Sequence, residues 1–148
     1  MSRKILKGKI LKELISKAID AEKNGFYLES IFLCHSIIEE RLRSTILKVD
    51  QKFGNKHKIP GSIKRFNNYI KNKEFLFNRY FDEKELKKIN KWKKLRRDNL
   101  IHELEKNDDL INNENELYKI AAEGQALMRQ LNKTVMKWKK NVIKEKII

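Results

Sequence analysis

The sequence is short of the residues that break or staple a chain. One proline and five glycines among 148 residues leave little turn material, so long helices with short connections are expected. Cys34 is the one cysteine, which excludes an intramolecular disulfide and fits a reducing compartment. No apolar run approaches the ~18 residues that a membrane span needs. The start, Met1-Ser2-Arg3-Lys4-Ile5-Leu6-Lys7, lacks the apolar stretch and small-residue cleavage site of a signal peptide. A cytoplasmic protein without a membrane partner is expected. Glycine-rich phosphate loops, Ser-His-Asp patterns and zinc-ligand spacings are also missing, so neither a metal nor a cofactor is expected.

Acidic residues are scarce beside basic ones. Asp and Glu number 20 against 35 Lys and Arg, a formal net charge of +15. Two sources fit that excess. Phosphate, as in RNA or DNA, is the commonest partner of such a surface. Richness in Lys, Asn and Ile is also what AT-rich genomes write into proteins.

What is present indicates a folded, highly charged helical chain. Hydrophobic residues are 40% and charged residues 37%, which excludes a disordered chain, and the length suits one domain over residues 1–148. Ile5, Leu6, Ile10, Leu11, Leu14, Ile15, Ala18 and Ile19 recur at helical spacing and predict a first helix ending near Asn24-Gly25. Tyr27 to Val49 reads as a second. Tyr27, Leu28, Ile31, Cys34, Ile38, Leu42, Ile46 and Val49 make one stripe, and Phe32, Leu33, Ile37 and Leu47 add apolar area elsewhere. Such a helix is central or shared with a partner subunit. After a polar loop, Ser62 is expected to cap a short helix with Ile63, Phe66 and Ile70. Phe75, Leu76, Phe77, Tyr80 and Phe81 read as an aromatic plug. Asp82 with Glu85 has capping-box spacing and opens a third major helix through Leu86, Ile89, Trp92, Leu95, Leu100, Ile101 and Leu104. Asn107-Asp108-Asp109 marks a turn. Asn113 with Glu116 starts a last helix, striped from Leu117 to Val142. Gly124 lies on that stripe, where a missing side chain lets another helix come close. The expected fold is all-α, an up-down bundle of four main helices plus one short helix.

The chemistry is concentrated in Leu95-Arg96-Arg97-Asp98-Asn99-Leu100-Ile101-His102-Glu103-Leu104. At about 100° per residue, Arg97 falls between Leu100 and Ile101, near the line of Leu86 and Leu104. An arginine there is hard to bury without a partner. Lys93 lies one turn earlier on the same side, and both can snorkel. His102 lies about 140° around the helix from Arg97, so the two cannot stack directly but can flank one cleft edge. Asp98 precedes His102 by four residues and shares its face, where it can hold the imidazole. The same spacing also describes a surface histidine beside a carboxylate. His35 sits in the second helix's apolar stripe, as a core histidine or a site residue. Glu39, one turn later, is a candidate charge partner for Arg97. His35 and Glu39 together are too few ligands for a metal. His57 lies in the polar loop, where a solvated side chain is expected. Trp92 and Trp138 sit among apolar neighbours as core or interface. Lys137, Lys139, Lys140, Lys144 and Lys146 make either an RNA-tracking edge or a solvated helix end.

Arg97-Asp98-Asn99-Leu100-Ile101-His102 resembles the motif of HEPN domains, an arginine followed by a polar residue, with a histidine a few residues on. It lies in the latter half of a late helix, as in that family, and a Trp-Lys-Lys-Leu run leads into it. Ser30-Ile31-Phe32-Leu33-Cys34-His35-Ser36-Ile37-Ile38-Glu39-Glu40-Arg41-Leu42-Arg43 resembles the early HEPN helix, and the similarity extends from Glu29 to Leu104. The resemblance implies a metal-independent endoribonuclease, a toxin or anti-phage effector acting as a homodimer. It implies Arg97 and His102 as the catalytic pair, with Asp98 orienting the imidazole. Arg96, Lys93 and Asn99 would meet RNA, and Glu39 and His35 would support the site. An antitoxin or activator protein is a further expected partner. One toxin subgroup carries a tyrosine two residues after the histidine, which its antitoxin modifies. Here His102 is followed by Glu103-Leu104, so that mode of control is not expected. The alternative is a non-catalytic HEPN-like module that binds RNA or protein. A structural helical oligomer, its charge set by codon usage, is a third possibility.

Overall fold

The computed structural model describes residues 3–53, 58–100, 102 and 114–145, and the side chains of all of these except 3–6, 96, 97 and 114. The fold is an all-α bundle, with no strand among the described residues. The α-helices are α1 (Arg3–Lys23), α2 (Tyr27–Val49), α3 (Ile59–Lys71), α4 (Phe77–Tyr80), α5 (Glu83–Lys91) and α6 (Glu114–Lys144). A π-helical turn, Trp92–Asp98, follows α5 directly. Against the expected four main helices and one short one, the structure adds the four-residue α4 and the π turn. Contacts divide the chain into two compact units, Met1–Ile37 with Trp92–Met128, and Ile38–Lys91 with Arg129–Ile148.

In the first unit, α1 stops where the sequence supplies a residue free to turn left. Gly25 has φ +81°. The Phe26 amide donates to the Ala21 carbonyl at 2.7 Å and the Gly25 amide to Glu22 at 3.1 Å. These two bonds are the Schellman closure, which satisfies carbonyls that the helix end leaves open. Among the described side chains of α1, Ala18 and Ala21 are buried, whereas Ile10 is half exposed. Ser30, fully buried on α2, donates its hydroxyl to the Ala18 carbonyl at 3.1 Å. Ile31, Cys34 and Ile37 are buried on α2, and Leu117, Ile120, Ala121, Leu127 and Met128 on α6.

Trp92 packs directly against Gly124. The indole is fully buried, and its N–H donates to the Ile120 carbonyl at 3.0 Å. A Cβ on Gly124 would sit 2.9 Å from Trp92 Cε2, and closer still to Cζ2. The glycine on the α6 stripe therefore admits an indole.

In the second unit, Asp50 closes α2. Its Oδ1 accepts from the Lys52 amide at 3.1 Å and its Oδ2 from Arg65 at 3.0 Å. The Arg65 guanidinium also lies over the Phe53 ring, 5.4 Å from its centroid. Helix α3 begins before the expected cap. Pro60 occupies the first turn and Lys58 the cap position, while Ser62 is a fully buried helical residue. Proline favours a helix start because its φ is already helical and its missing N–H would have had no partner there. Helix α3 ends through Lys73 at φ +53°, with the Glu74 amide donating to Tyr69 at 2.9 Å.

Of the expected aromatic plug, Phe77 and Phe81 join a cluster with residues of α3 and α6, and Phe75 meets Tyr69 at 5.4 Å. Phe66, Tyr69, Phe77, Phe81 and Trp138 meet at centroid distances of 4.8 to 6.1 Å, mostly edge to face, the preferred geometry for aromatic quadrupoles. The Trp138 N–H donates to the Phe75 carbonyl at 2.8 Å. That bond helps hold Phe75 and Leu76 at positive φ, 52° and 63°, a conformation that costs a branched or bulky residue energy. Asp82 caps α5 as expected, its Oδ1 accepting from the Lys84 amide at 2.9 Å. Glu85 pairs forward with Lys88 at 3.0 Å. The α6 stripe continues with Leu131, Val135, Trp138 and Val142, all buried.

Candidate functional site

The segment that carries the Arg97-to-His102 motif is where the helix changes its winding. Trp92–Asp98 is π-helical, while Asn99, Leu100 and His102 are α-helical. A π turn closes i→i+5 hydrogen bonds and holds one residue more than an α turn, with roughly 82° per residue against about 100°. Its cause can be read from the anchors. Trp92 and Leu100 are both buried, at 0% and 2% exposure. They are eight residues apart, which in an unbroken α-helix puts them about 80° out of line. One extra residue in the turn brings them back to one face.

Leu95, one of the apolar positions along the expected helix, lies off the buried face. It is 54% exposed. The wide turn rotates it from about 60° to about 114° away from Trp92, beyond the edge of the core.

The π turn also decides which polar residues meet. Lys93 Nζ lies 3.2 Å from Asp98 Oδ2, with the side chains 18% and 36% exposed. Residues five apart share a face only where the winding is π, so the pair fits the turn that contains it. Asn99 is exposed and folds back along its own helix, its Nδ2 donating to the Leu95 carbonyl at 3.1 Å. Where π winding returns to α winding, the backbone ladder skips one carbonyl, and a side-chain amide at that junction is a suitable substitute donor.

His102 is exposed on the α-helical part. Arg96 and Arg97 have their backbone in the π turn, and their side chains lie outside the described atoms. The proposed link from Glu39 to Arg97 falls there too. Glu39 Oε1 lies 3.8 Å from Arg43. His35 is half-buried, its ring 6.5 Å from that of Trp92 at an angle of 35°. Trp92 and Trp138 are both core residues. On α6, Lys137, Lys140 and Lys144 are exposed, and Lys139 donates to the Ser44 hydroxyl at 3.0 Å. His57, Ile101, Leu104, Asn107-Asp108-Asp109, Asn113 and Lys146 lie outside the described residues.

Cys34 is not a nucleophile at neutral pH. It is fully buried, and burial pushes its thiol up to about 11, against a lowering hydrogen bond with Ser30 and with a further rise from Glu22. A thiol so placed holds its proton and is inert. No group of three or more His, Cys, Asp or Glu that could hold a metal occurs among the described residues. No described helix is long and apolar enough to cross a membrane.

The sequence pattern missed the π turn and the Lys93–Asp98 pair. The signal was available in the eight-residue spacing of Trp92 and Leu100, with Arg97 breaking the α-helical stripe between them. Compared with protein-family models, curated proteins and solved structures, the chain matches none.

Proposed function

We propose that the chain is a metal-independent endoribonuclease of HEPN type, a toxin or anti-phage effector working as a homodimer in the cytoplasm. The observation that supports this most is the winding of the motif. Arg97 and Asp98 lie in a π turn and His102 is exposed just beyond it, and π turns within α-helices recur at functional sites. The net charge of +15 suits a polyanionic substrate.

The chemistry asks little of the protein. RNA carries its own nucleophile, the 2′-hydroxyl, and a histidine can take or give its proton near neutral pH. Arg97 would hold the scissile phosphate and stabilise the charge that gathers on its oxygens. The 2′-oxygen attacks phosphorus and the 5′-oxygen leaves with a proton. The products are a 2′,3′-cyclic phosphate and a 5′-hydroxyl end. His102 is the proton-transfer group, with Asp98 as its orienting carboxylate.

The decisive experiment is cleavage of a mixed RNA pool in EDTA by the wild type, Arg97→Ala and His102→Ala, with end-group analysis. Cyclic-phosphate ends from the wild type alone are expected. Full activity in both variants would overturn the assignment. A second reading, a non-catalytic module that binds RNA or protein, draws on one observation. Asp98 already pairs with Lys93, as it would in a motif kept for structure. Salt-sensitive RNA binding with intact RNA would establish that instead.

A further inference from the structure

We infer that Lys93 and Asn99 are positioning residues for the π turn and not phosphate contacts, although charge and polarity alone would make both candidates for RNA binding. The inference concerns the site proposed above, but its test does not depend on cleavage.

Three observations carry it. The Lys93 side chain is 18% exposed in its ion pair, against 64% for Lys88 and 67% for Lys119 in theirs. It is turned to Asp98 across the five-residue span that π winding brings together. The Asn99 amide is committed to the Leu95 carbonyl at the junction where the winding returns to α. The two interactions bracket the turn. One ties its first residues to its last, and the other supplies a donor at its exit. Between them lies the backbone of Arg96 and Arg97. A turn with one residue too many can shed it by sliding its hydrogen bonds along the helix. The Lys93–Asp98 bridge is lost in such a slide, because residues five apart separate when the winding is α. The pair therefore selects the register in which the motif is presented.

A phosphate contact and a positioning group respond differently to substitution. Removing a contact weakens RNA binding and lowers its salt dependence by about one phosphate. Removing a brace frees the backbone between the braces and leaves the charge seen by RNA to the other basic residues. The variants are Lys93→Met, Asn99→Ala and the exchange Lys93→Asp with Asp98→Lys. The readouts are amide hydrogen exchange by NMR and binding of a single-stranded RNA oligonucleotide at several salt concentrations. The expected result is a roughly tenfold faster exchange of the Arg96, Arg97 and Asp98 amides in each single variant, the factor that ~1.4 kcal/mol provides. Exchange in α6 stays unchanged, and the charge exchange restores protection. RNA affinity and its salt slope in Lys93→Met and Asn99→Ala stay within twofold of wild type. Unchanged exchange in both single variants overturns the inference, as does a fall in RNA affinity in Lys93→Met with the turn still protected. If the wild type neither binds nor cleaves RNA, the ribonuclease proposal fails while the exchange data still decide the role of Lys93 and Asn99. Retention of the global unfolding midpoint in each variant separates local loosening from loss of fold.

Discussion

Gly124 shows how one missing side chain determines a contact. In an exposed helix, replacing glycine by alanine stabilises by up to about 1 kcal/mol. Here the added methyl would enter the Trp92 ring, which is held by its bond to the Ile120 carbonyl. The indole cannot retreat without giving up that bond and its place in the core. Gly124→Ala is therefore expected to lose about 1–3 kcal/mol, the cost of overpacking. A midpoint lowered by several degrees in thermal unfolding would agree, and a raised midpoint would show that the indole has room to move. Cys34 gives a residue-scale prediction in pH. Its folded thiol lies near 11, above the ordinary 9.0. The folded state thus disfavours the thiolate. The associated stability is fully present below pH 9 and is lost as pH rises toward 11. Unfolding midpoints measured from pH 8 to 11 should fall less steeply in Cys34→Ala than in the wild type, and the native thiol should resist Ellman's reagent at pH 8 until the chain unfolds.

At the scale of the element, the helix ends and the apolar stripes were legible in the sequence, because each depends on a local residue with one strong preference. Gly25 ends α1, Asp82 caps α5, and the α2 and α6 stripes repeat at 3.6 residues without a break. Ser62 was misread as a cap because a serine before an apolar run is a weaker signal than a proline two residues earlier. The π turn was hidden for a different reason. A constant 100° per residue cannot represent an extra residue, so Leu95 counts as one more apolar position of the stripe and Arg97 as a breach of it. The residue types of the candidate site could be named from sequence, but their partners could not, since Lys93 meets Asp98 only under π winding. The extra residue makes a direct prediction. Deleting Leu95, an exposed side chain, leaves Trp92 and Leu100 seven apart, close to two α turns. The variant should keep its helicity and unfold within a few degrees of wild type. Deleting Ala126, exposed on α6, should be severely destabilising, because it rotates Leu127 and Met128 by about 100° from Ile120 and Ala121. Equal damage from the two deletions would show that Trp92–Asp98 does not carry a spare residue.

For the molecule as a whole, the question is whether a charge of +15 has been selected for RNA or inherited from codon usage. Net charge of this size creates long-range attraction to any polyanion, and salt screens it over about 8–10 Å at physiological strength. Binding by charge alone depends on the density of phosphate or sulfate and little on its arrangement. A site that places an arginine and a histidine beside one phosphate adds contacts that a generic polyanion does not satisfy. Affinity for a single-stranded RNA should therefore fall with salt at a log–log slope near −3 for roughly four phosphate contacts. Heparin at matched charge should compete poorly at 200 mM salt, where the screened component has faded and the specific contacts remain. Binding measured by fluorescence anisotropy in both ligands distinguishes the cases. If RNA and heparin lose affinity in parallel and to the same end point, the charge is a property of composition, and the Arg97-to-His102 segment contributes nothing that distinguishes RNA from any other anion.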